Sequence, residues 1–385
     1  MKLNEMKIIY LDHAATTLAD REVVNSMMPY FTEKFGNASS LHSAGQEAKK
    51  ALESSREKIA GKVNSNPREL VFTSGGTESV NLALKGVAFA NRKKGKHIIT
   101  SRVEHDCVLN SCKWLEKQGF EVTYLPADRY GLIGLKELEN TIRKDTVLVS
   151  IIHGNNEIGT INPIGKIGKI CREREVYFHT DACQSFTKVP IDVEKQNIDL
   201  LTINSHKIYG PKGVGALFIR KGVRIEPLAH GGGHEFNLRS GTENIPGIVG
   251  FAKAPEVTKQ KDIEHMTGLR DKLIKEISKI PDSRLNGHPE KRLCNNANFS
   301  FKYVEGESMV LMLDAKGICV STGSACSSYS LEPSHVLRAI GLTPEDAHGS
   351  IRLTIGKENT IEEIKYTIDA LKETIERLRA MSPRH

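Results

Sequence analysis

The sequence contains no uninterrupted apolar run near the length of a membrane span. A transmembrane helix needs about 20 consecutive apolar residues, whereas this composition, 39% hydrophobic and 26% charged, is that of a soluble globular protein. The opening stretch, MKLNEMKIIYLDHAATT, has only a four-residue apolar run at 8–11. A signal-peptide core has roughly 7 to 15 such residues. We therefore expect no membrane association and a cytoplasmic location.

Paired cysteine motifs and blocks of like charge are also absent. None of the seven cysteines has a partner at the C-x-x-C spacing of zinc ribbons or thioredoxin-like motifs. Without an export signal we expect reduced thiols. The net charge of +7 is spread over 54 basic and 47 acidic residues, with no run of five like charges. These absences argue against a disulfide framework and an intrinsic metal site, and they leave direct nucleic-acid binding unsupported.

Short β-rich runs alternate with longer helical patterns through most of the chain. Apolar residues at spacings of three and four predict helices over 43–63 and 77–92. This alternation is typical of a mostly parallel sheet with helices on both faces, so we predict the α/β class. The predicted strands are HIIT (97–100), TVLVSIIH (146–153), VYFHTDA (176–182), DLLTIN (199–204) and VGALFIR (214–220).

The pattern changes after about residue 255. A charged helix is followed by the strand-like run NNANFSFKYV and, later, by a last helix that begins at a capping box, Thr360 and Glu363. A chain of 385 residues is also too long for one ordinary core. We therefore predict a large α/β domain over 15–255 and a small α+β domain formed by 1–14 and 256–385.

Three features between the predicted strands point to chemistry. Thr77 follows two glycines in TSGGTES at the start of a helical pattern, where free backbone N–H groups and a hydroxyl suit a phosphate. HTDACQS places Asp181 and Gln184 at the carboxyl end of a strand, where open α/β folds bind ligands. NSHKIYGPKG places Lys207, a candidate Schiff-base amine, after a later strand. Each alone has an ordinary explanation, but together they provide what pyridoxal phosphate needs: a phosphate anchor, a ring-nitrogen partner and an imine.

The order of these features resembles that of the cysteine desulfurases, fold-type I pyridoxal-phosphate enzymes of the class V aminotransferase family. The resemblance covers essentially the whole chain. It implies a fold-type I transferase that converts L-cysteine to L-alanine and leaves the sulfur on a loop cysteine as a persulfide. The blocks that carry it are YLDHAATT, FGNASSLHSAGQEA, VFTSGGTES, VEHDCVL, HGNNEIGT, HTDACQS, SHKIYGPKG, HGGGHE, RSGTEN, STGSACSS, LEPSHVLRAIG and GSIRLTIG.

Cys326, within STGSACSSYS, matches the cysteine that accepts the sulfur. Small residues around it would let the loop swing from the cofactor to an outside acceptor. The extended loop is similar to the branch that serves iron–sulfur cluster assembly, where Cys326 could transiently ligate a nascent cluster. The resemblance therefore implies an iron–sulfur scaffold protein or another sulfur acceptor as partner.

The resemblance also assigns the chemical roles residue by residue. Lys207 matches the lysine that forms the Schiff base and moves the Cα proton, and Asp181 matches the partner of the pyridine nitrogen. His105 of VEHDCVL matches a histidine on the ring face, and we expect it to accept the proton of the Cys326 thiol. Arg352 of SIRLTIG matches the guanidinium that binds the substrate carboxylate.

Further residues match contacts to the cofactor. Gln184 and Asn156 match the residues that hydrogen-bond the ring oxygen, and Asn156 is also expected beside the substrate. Gly76, Thr77 and His206 match the phosphate cradle.

Two positions before the lysine depart from the family pattern, which has Ser followed by Ala or Gly. This chain has Asn204 and Ser205 there. We expect the Asn204 amide to donate to the phosphate and Ser205 to compensate for the usual serine. Thr242 of RSGTEN matches a phosphate contact from a second subunit, so the resemblance implies a homodimer.

Two alternatives stay open. An aminotransferase of the same fold or a selenocysteine lyase would share Lys207 and Asp181, although neither explains the Cys326 loop as well. A non-enzymatic protein that binds nucleic acid or a scaffold is supported only by the isoelectric point near 8.9.

Overall fold

The computed structural model describes residues 8–322 and 333–381. Its strands are β1 (Ile9–Tyr10), β2 (Leu70–Thr73), β3 (His97–Ser101), β4 (Glu121–Leu125), β5 (Thr146–Ser150), β6 (Tyr177–Asp181), β7 (Leu200–Asn204), β8 (Gly215–Ile219), β9 (Ser283–Asn286), β10 (Asn296–Phe301), β11 (Ile318–Cys319) and β12 (Ser350–Thr354).

The helices of this part of the chain are α1 (Arg21–Met27), α2 (Pro29–Thr32), α3 (Ser43–Gly61), α4 (Gly76–Asn81), α5 (Val87–Asn91), α6 (Asp106–Lys117), α7 (Leu135–Thr141), α8 (Ile164–Glu173), α9 (Ile245–Lys253), α10 (Gln260–Ile277), α11 (Gly306–Asp314), α12 (His335–Ala339), α13 (Pro344–His348) and α14 (Ile361–Met381).

A seven-stranded sheet in the order β2-β8-β7-β6-β5-β3-β4 forms the centre of the molecule. The pairs β3 with β4, β3 with β5, β5 with β6 and β6 with β7 are parallel, which confirms the mostly parallel prediction. The strand within VGALFIR, β8, is the exception, because it runs antiparallel to both β7 and β2. An apolar run predicts a buried strand but carries no information about its direction.

Apolar side chains cover both faces of this sheet. Leu148 and Leu200 join one hydrophobic cluster, while the next residues along each strand, Val149 and Leu201, join another. Successive side chains of a strand point to opposite faces, so the two clusters lie on opposite sides. Helices α3, α8 and α9 contribute to one cluster, and α5 and α6 to the other. The predicted placement of helices on both faces is therefore confirmed.

The predicted helix over 77–92 is interrupted. Helix α4 continues through a π-helical turn, Leu82–Gly86, into α5. The turn contains Gly86, whose added Cβ would lie 2.6 Å from the backbone oxygen of Glu226. Only glycine lets the helix pack this closely. The apolar spacing of residues 77–92 did not indicate the change from α-helical to π-helical winding.

A second core lies around two smaller sheets, β12-β10-β9 and β1-β11. Its cluster combines Ile9 and Leu11 with apolar residues of α10, α11 and α14. This separate cluster supports the predicted small domain, which we retain as a proposal. Val336 and Leu337 of α12, however, pack in the cluster of the large sheet.

The last helix begins as the sequence predicts. The backbone N–H of Glu363 donates to Thr360 Oγ1 at 3.2 Å, and that of Thr360 donates to Glu363 Oε2 at 3.1 Å. Within residues 8–322 and 333–381, no helix combines the length and apolar character needed to cross a membrane.

Candidate active site

A cavity of about 530 Å³ lies at the carboxyl ends of the central strands. Asp181 ends β6 and Asn204 ends β7, while His105 and Asn156 come from the loops that follow β3 and β5. Parallel strands deliver their carboxyl ends to one edge of a sheet, where α/β folds place ligand sites. Of the predicted site residues in the described ranges, all but Ser205 and Thr242 line this cavity.

An amine and a carboxylate stand on neighbouring strand-end turns. Lys207 Nζ donates to the backbone oxygens of Ala14 and, at 2.6 Å, of Ala15. Asp181 is buried, with 5% of its surface exposed, and its Oδ1 accepts the backbone N–H of Cys183 at 2.9 Å. The structure thus brings together the two groups that the sequence placed after separate strands.

The N-terminal segment closes one side of the cavity. Gln184 Nε2 donates to the oxygen of Ala14 at 2.8 Å, alongside the Lys207 amine. The hydroxyl and the backbone N–H of Thr17 both donate to the oxygen of His206 at 2.9 Å. The block YLDHAATT therefore supplies part of the site wall, a role that its composition did not reveal.

His105 caps the N-terminus of α6. Its Nδ1 accepts the backbone N–H of Cys107 at 3.1 Å, and the Cys107 sulfur lies 3.0 Å from the same nitrogen. A ring nitrogen that accepts an N–H carries no proton, so the neutral ring carries its proton on Nε2. Burial raises the pKa of the Cys107 thiol, with the charges of Asp181 and Glu104 adding to the effect. That thiol therefore stays protonated at neutral pH.

A glycine cradle forms the other end of the cavity. Gly75 has a φ of +152°, a conformation that favours glycine, and α4 begins at Gly76. A Cβ added at Gly76 would lie 2.7 Å from Cys183 Sγ and 3.6 Å from Asn204 Nδ2. The Asn204 amide therefore lies next to the helix start, where Thr77 also lines the cavity.

His206 and Ser205 differ in what they offer a phosphate. Burial and the charges of three neighbouring lysines lower the pKa of His206 to about 4, so this ring is neutral at pH 7. Ser205 is fully buried behind the wall, and its Oγ lies only 1.9 Å from where a Cβ at Gly210 would stand. The expectation that Ser205 would reach the phosphate is therefore not met. Consecutive residues at a strand end point in opposite directions, and Asn204 takes the inward one.

Arg352 stands at the substrate end of the cavity. Its Nη2 lies 2.9 Å from Asp12 Oδ1, and its Nη1 donates to the backbone oxygen of Asn156 at 3.0 Å. Arg352 Nε and Asn156 Oδ1 are buried and have no hydrogen-bond partner in the described part of the protein. Buried polar atoms are normally paired, so these two favour a polar ligand here. Sequence reasoning missed Asp12, whose carboxylate partly balances the positive charge of this guanidinium.

Thr242 and Cys326 are the two predicted site residues that have not yet been placed. Thr242 is exposed and does not line the cavity, so its contribution to a second subunit stays a prediction. Cys326 lies outside the described residues. The residues after that segment do reach the site: Ser334 Oγ donates to Glu157 Oε2 at 2.5 Å, and His335 Nε2 donates to the oxygen of Glu104 at 2.9 Å.

The residues of the cavity suit pyridoxal phosphate. Lys207 offers an amine, Asp181 a buried carboxylate, and Gly76 a helix start at which no Cβ fits. The donor nitrogen of Asn204, Nδ2, lies next to this helix start, where it can donate to a phosphate. Across those same ranges, no group of three or more His, Cys, Asp or Glu side chains could hold a metal ion.

Comparison with known proteins agrees with this site. The family model described as aminotransferase class-V matches residues 9–367. The chain is 55% identical over 382 residues to a protein of Methanosarcina thermophila named cysteine desulfurase IscS, covering 98% of this chain and 95% of that one.

Two solved structures extend the comparison. One, a NifS-like protein, has a TM-score of 0.91 and 40% identity, covering 96% of this chain and all of that one. The other, titled SspA in complex with cysteine, has a TM-score of 0.82 and 40% identity, and the match covers 91% of this chain and all of that one. The chain therefore belongs to the class-V aminotransferase family and, within it, to the pyridoxal-phosphate-dependent cysteine desulfurases.

Proposed function

We propose that the cavity converts L-cysteine to L-alanine and that the sulfur leaves as a persulfide on Cys326. The observation that carries the proposal is the grouping of Lys207, Asp181 and Arg352 around one cavity. The amine of Lys207 suits a cofactor aldehyde, and the buried carboxylate of Asp181 suits a cofactor ring nitrogen. The guanidinium of Arg352 suits a substrate carboxylate. The neighbour solved in complex with cysteine supports the choice of substrate.

Pyridoxal phosphate, when bound, withdraws electrons from the substrate Cα and so weakens the bonds around it. Lys207 would hold it through a Schiff base, and Asp181 would accept a hydrogen bond from its ring nitrogen. The start of α4 and the Asn204 amide would hold its phosphate. His206, neutral at pH 7, would add a hydrogen bond without a charge.

Two residues would act on the amino acid itself. Arg352 would bind the carboxylate through its planar fork, which Asp12 and the oxygen of Asn156 hold in place. The Lys207 amine would move the Cα proton.

Cys326 would act on the sulfur. Its thiolate would attack the substrate sulfur, so that an S–S bond forms and the bond from sulfur to Cβ breaks. The electron pair of that broken bond would stay on Cβ, which takes up a proton to give alanine. The proton that the Cys326 thiol loses to become a thiolate balances the proton gained at Cβ. The cap geometry of His105 supports a hydrogen-bond donor, because its Nδ1 already accepts an N–H and its Nε2 carries the hydrogen. This geometry supports a hydrogen bond donated by His105 Nε2, and acceptance of the Cys326 proton by His105 stays a prediction from the sequence.

The rest of the assembly is part of the same proposal. Thr242 is exposed, as a contact to a second subunit of a homodimer would require. The motif around Cys326 supports an iron–sulfur scaffold protein or another sulfur acceptor as partner. The cytoplasmic location stays a prediction from the sequence.

The test follows alanine and sulfur separately. Purified protein with bound cofactor is given L-cysteine, alanine release is measured, and mass spectrometry locates the added sulfur. Lys207→Ala should abolish both alanine release and the absorbance of the bound cofactor. Cys326→Ser should keep that absorbance but release almost no alanine, whereas Cys319→Ser, a matched control away from the cavity, should behave as wild type.

Three results would contradict the proposal: undiminished alanine release from Lys207→Ala, normal turnover by Cys326→Ser, or added sulfur that maps to Cys183. Selenocysteine and 2-oxo acids as substrates address the alternatives. Faster release of alanine from selenocysteine without modification of Cys326 would favour a lyase. Amino-group transfer to a 2-oxo acid would favour an aminotransferase.

A further inference from the structure

Lys188 links the two strand-end turns that carry the proposed cofactor residues. It lies in the turn after β6, and its Nζ donates to the backbone oxygen of Gln184 at 3.1 Å and to that of Lys207 at 3.2 Å. Gln184 belongs to the same turn as Asp181, whereas Lys207 belongs to the turn after β7. Lys188 itself does not line the cavity.

The two backbone oxygens are the main groups that stabilise the buried ammonium of Lys188. Burial lowers the pKa of Lys188. Within the described ranges, no carboxylate is among the groups whose charge affects the pKa of Lys188. The thiols of Cys183 and Cys294 also affect its pKa, but burial raises the pKa of both thiols, so neither carries a negative charge at neutral pH. A buried charge without a counter-ion is costly, so the two backbone oxygens are what hold it there.

We propose that Lys188 is a positioning residue that fixes the Lys207 turn against the turn of Asp181 and Gln184. The inference rests on the proposed function, because it concerns the residues assigned to the cofactor. A single ammonium bonded to both turns sets their spacing, and with it the position of the Lys207 backbone relative to the Asp181 carboxylate. Amine and carboxylate must reach opposite sides of one small ring system, so this spacing affects how well the cofactor is held.

The bridge differs from the contacts that join each of these turns to the N-terminal segment. The side chains of Gln184 and Lys207 contact Ala14, and Lys207 also contacts Ala15. A ligand in the cavity would compete for those side chains. Lys188 uses only backbone oxygens and leaves both side chains available to the ligand. The bridge can therefore hold the turns together when the cavity is filled.

The experiment measures how fast the full-length, cofactor-loaded protein loses pyridoxal phosphate after transfer to cofactor-free buffer. Lys188→Met removes the charge and every donor at similar length. We expect it to lose the bound-cofactor absorbance at least about tenfold faster, the scale of a hydrogen bond to a charged group. Lys188→Arg keeps the charge and the donors, and it should stay within about threefold of wild type. Lys169→Met, which changes an exposed lysine, should match wild type.

The results separate positioning from a purely structural role. Thermal unfolding of each variant without cofactor is measured alongside. Wild-type cofactor retention in Lys188→Met overturns the inference, as does equal loss from the Met and Arg variants. Cofactor loss that rises only in step with unfolding also overturns it. If Lys188→Met does not fold, Lys188→Gln decides: faster loss supports the bridge, and wild-type retention overturns it.

Failure of the proposed function would look different. Cofactor retention needs no turnover, so it is measured whether or not the protein acts on cysteine. A wild-type protein that holds the cofactor but releases no alanine would contradict the proposed function and still allow the Lys188 test.

Discussion

The guanidinium of Arg352 lies 2.9 Å from the carboxylate of Asp12, a residue far away in the sequence. Arg352 belongs to β12, and Asp12 belongs to the N-terminal segment that pairs with Thr354 of the same strand. The pair is almost closed to solvent, with 3% of the Arg352 side chain and 19% of the Asp12 side chain exposed. Asp12 therefore orients the fork of Arg352 and partly balances its charge before any substrate binds.

Replacing Arg352 with lysine tests this arrangement. Lysine keeps the charge but cannot form the planar two-donor contact to a carboxylate, nor the paired contacts to Asp12 and the oxygen of Asn156. We expect Arg352→Lys to raise the KM for L-cysteine by about 30-fold, which corresponds to roughly 2 kcal/mol. Cofactor absorbance should stay close to wild type.

Steady-state kinetics of alanine release provide the measurement. Arg174→Lys, a change at an exposed ion pair with Glu139, serves as the control and should not alter KM. An unchanged KM in Arg352→Lys would show that the substrate carboxylate binds elsewhere.

The strand-end residues of the site were predictable from the sequence, whereas contacts between distant segments were not. Asp181 and Lys207 follow apolar runs, and the carboxyl ends of parallel strands meet at one edge, so local pattern and topology together place them. Asp12 and Lys188 act through partners on other elements, and no local pattern encodes such partners. The antiparallel direction of β8 was not predicted for a similar reason, since burial alone does not fix strand direction.

Ser205 illustrates a different limit. The order Asn204, Ser205 before the lysine placed both near a phosphate, yet only one of two successive strand residues can face a given side. Which one faces the cavity depends on the register at the end of β7, and that register is set by its pairing with β6 and β8.

This difference between the two residues gives a second prediction. Asn204→Ala should weaken pyridoxal phosphate binding by about 1 kcal/mol, roughly fivefold, because one hydrogen bond is lost. Asn204→Ser should stay within about 1.5 kcal/mol of wild type. Ser205→Ala should leave the affinity unchanged, because its hydroxyl is buried, faces Gly210 and has no partner in the described chain.

Equilibrium titration of the cofactor absorbance gives the three affinities. A weaker affinity in Ser205→Ala than in Asn204→Ala would mean that the strand end is oriented the other way.

Glu157 gives a third prediction through its contact with Ser334. It lines the cavity, and its Oε2 accepts a hydrogen bond from Ser334 Oγ at 2.5 Å. Ser334 follows closely after the segment that carries Cys326 in the sequence. Ser334 also accepts the backbone N–H of Leu337, so it caps α12 at the same time. Glu157→Ala should slow persulfide formation on Cys326 about tenfold, because the start of α12 loses its attachment to the cavity wall.

Glutamine keeps an acceptor oxygen for the hydroxyl, so Glu157→Gln should recover most of the rate. Mass spectrometry of Cys326 at fixed times after cysteine addition provides the rates, and absorbance reports the bound cofactor. Equal loss in both variants would show that the contact to Ser334 is not what Glu157 contributes.

The final prediction concerns acid sensitivity and rests on three buried histidines, His13, His153 and His179. Burial lowers the pKa of each to about 4, whereas an unfolded histidine titrates near about 6.5. Between these values the unfolded chain binds more protons than the folded one, so each histidine lowers the free energy of unfolding as the pH falls. The slope is about 1.4 kcal/mol per pH unit for each histidine.

Glu104 opposes this trend. Burial raises its pKa to about 8, so the folded protein keeps a proton that the unfolded chain loses above about pH 4.5. Its stabilising contribution is full at low pH and is lost as the pH rises through that interval. Burial also raises the pKa values of Glu157, Asp199 and Glu358, which act in the same direction as Glu104. The lowered pKa values of His97 and His206 act in the same direction as the three histidines. Between about pH 6.5 and 4.5 we expect the histidines to dominate, so that net stability falls on acidification. Urea midpoints of the cofactor-free protein should therefore decrease from pH 7 to pH 5.

His153→Gln should flatten this dependence by about one histidine's share, since glutamine does not titrate. His230→Gln, at an exposed position, should leave the slope unchanged. A midpoint at pH 5 that equals or exceeds the midpoint at pH 7 would mean that the buried rings do not hold their neutral forms. If the pH dependence of the midpoint flattens in His153→Gln but not in His230→Gln, the effect comes from burial of the His153 ring. A general effect of net charge would change both variants, because each removes one histidine.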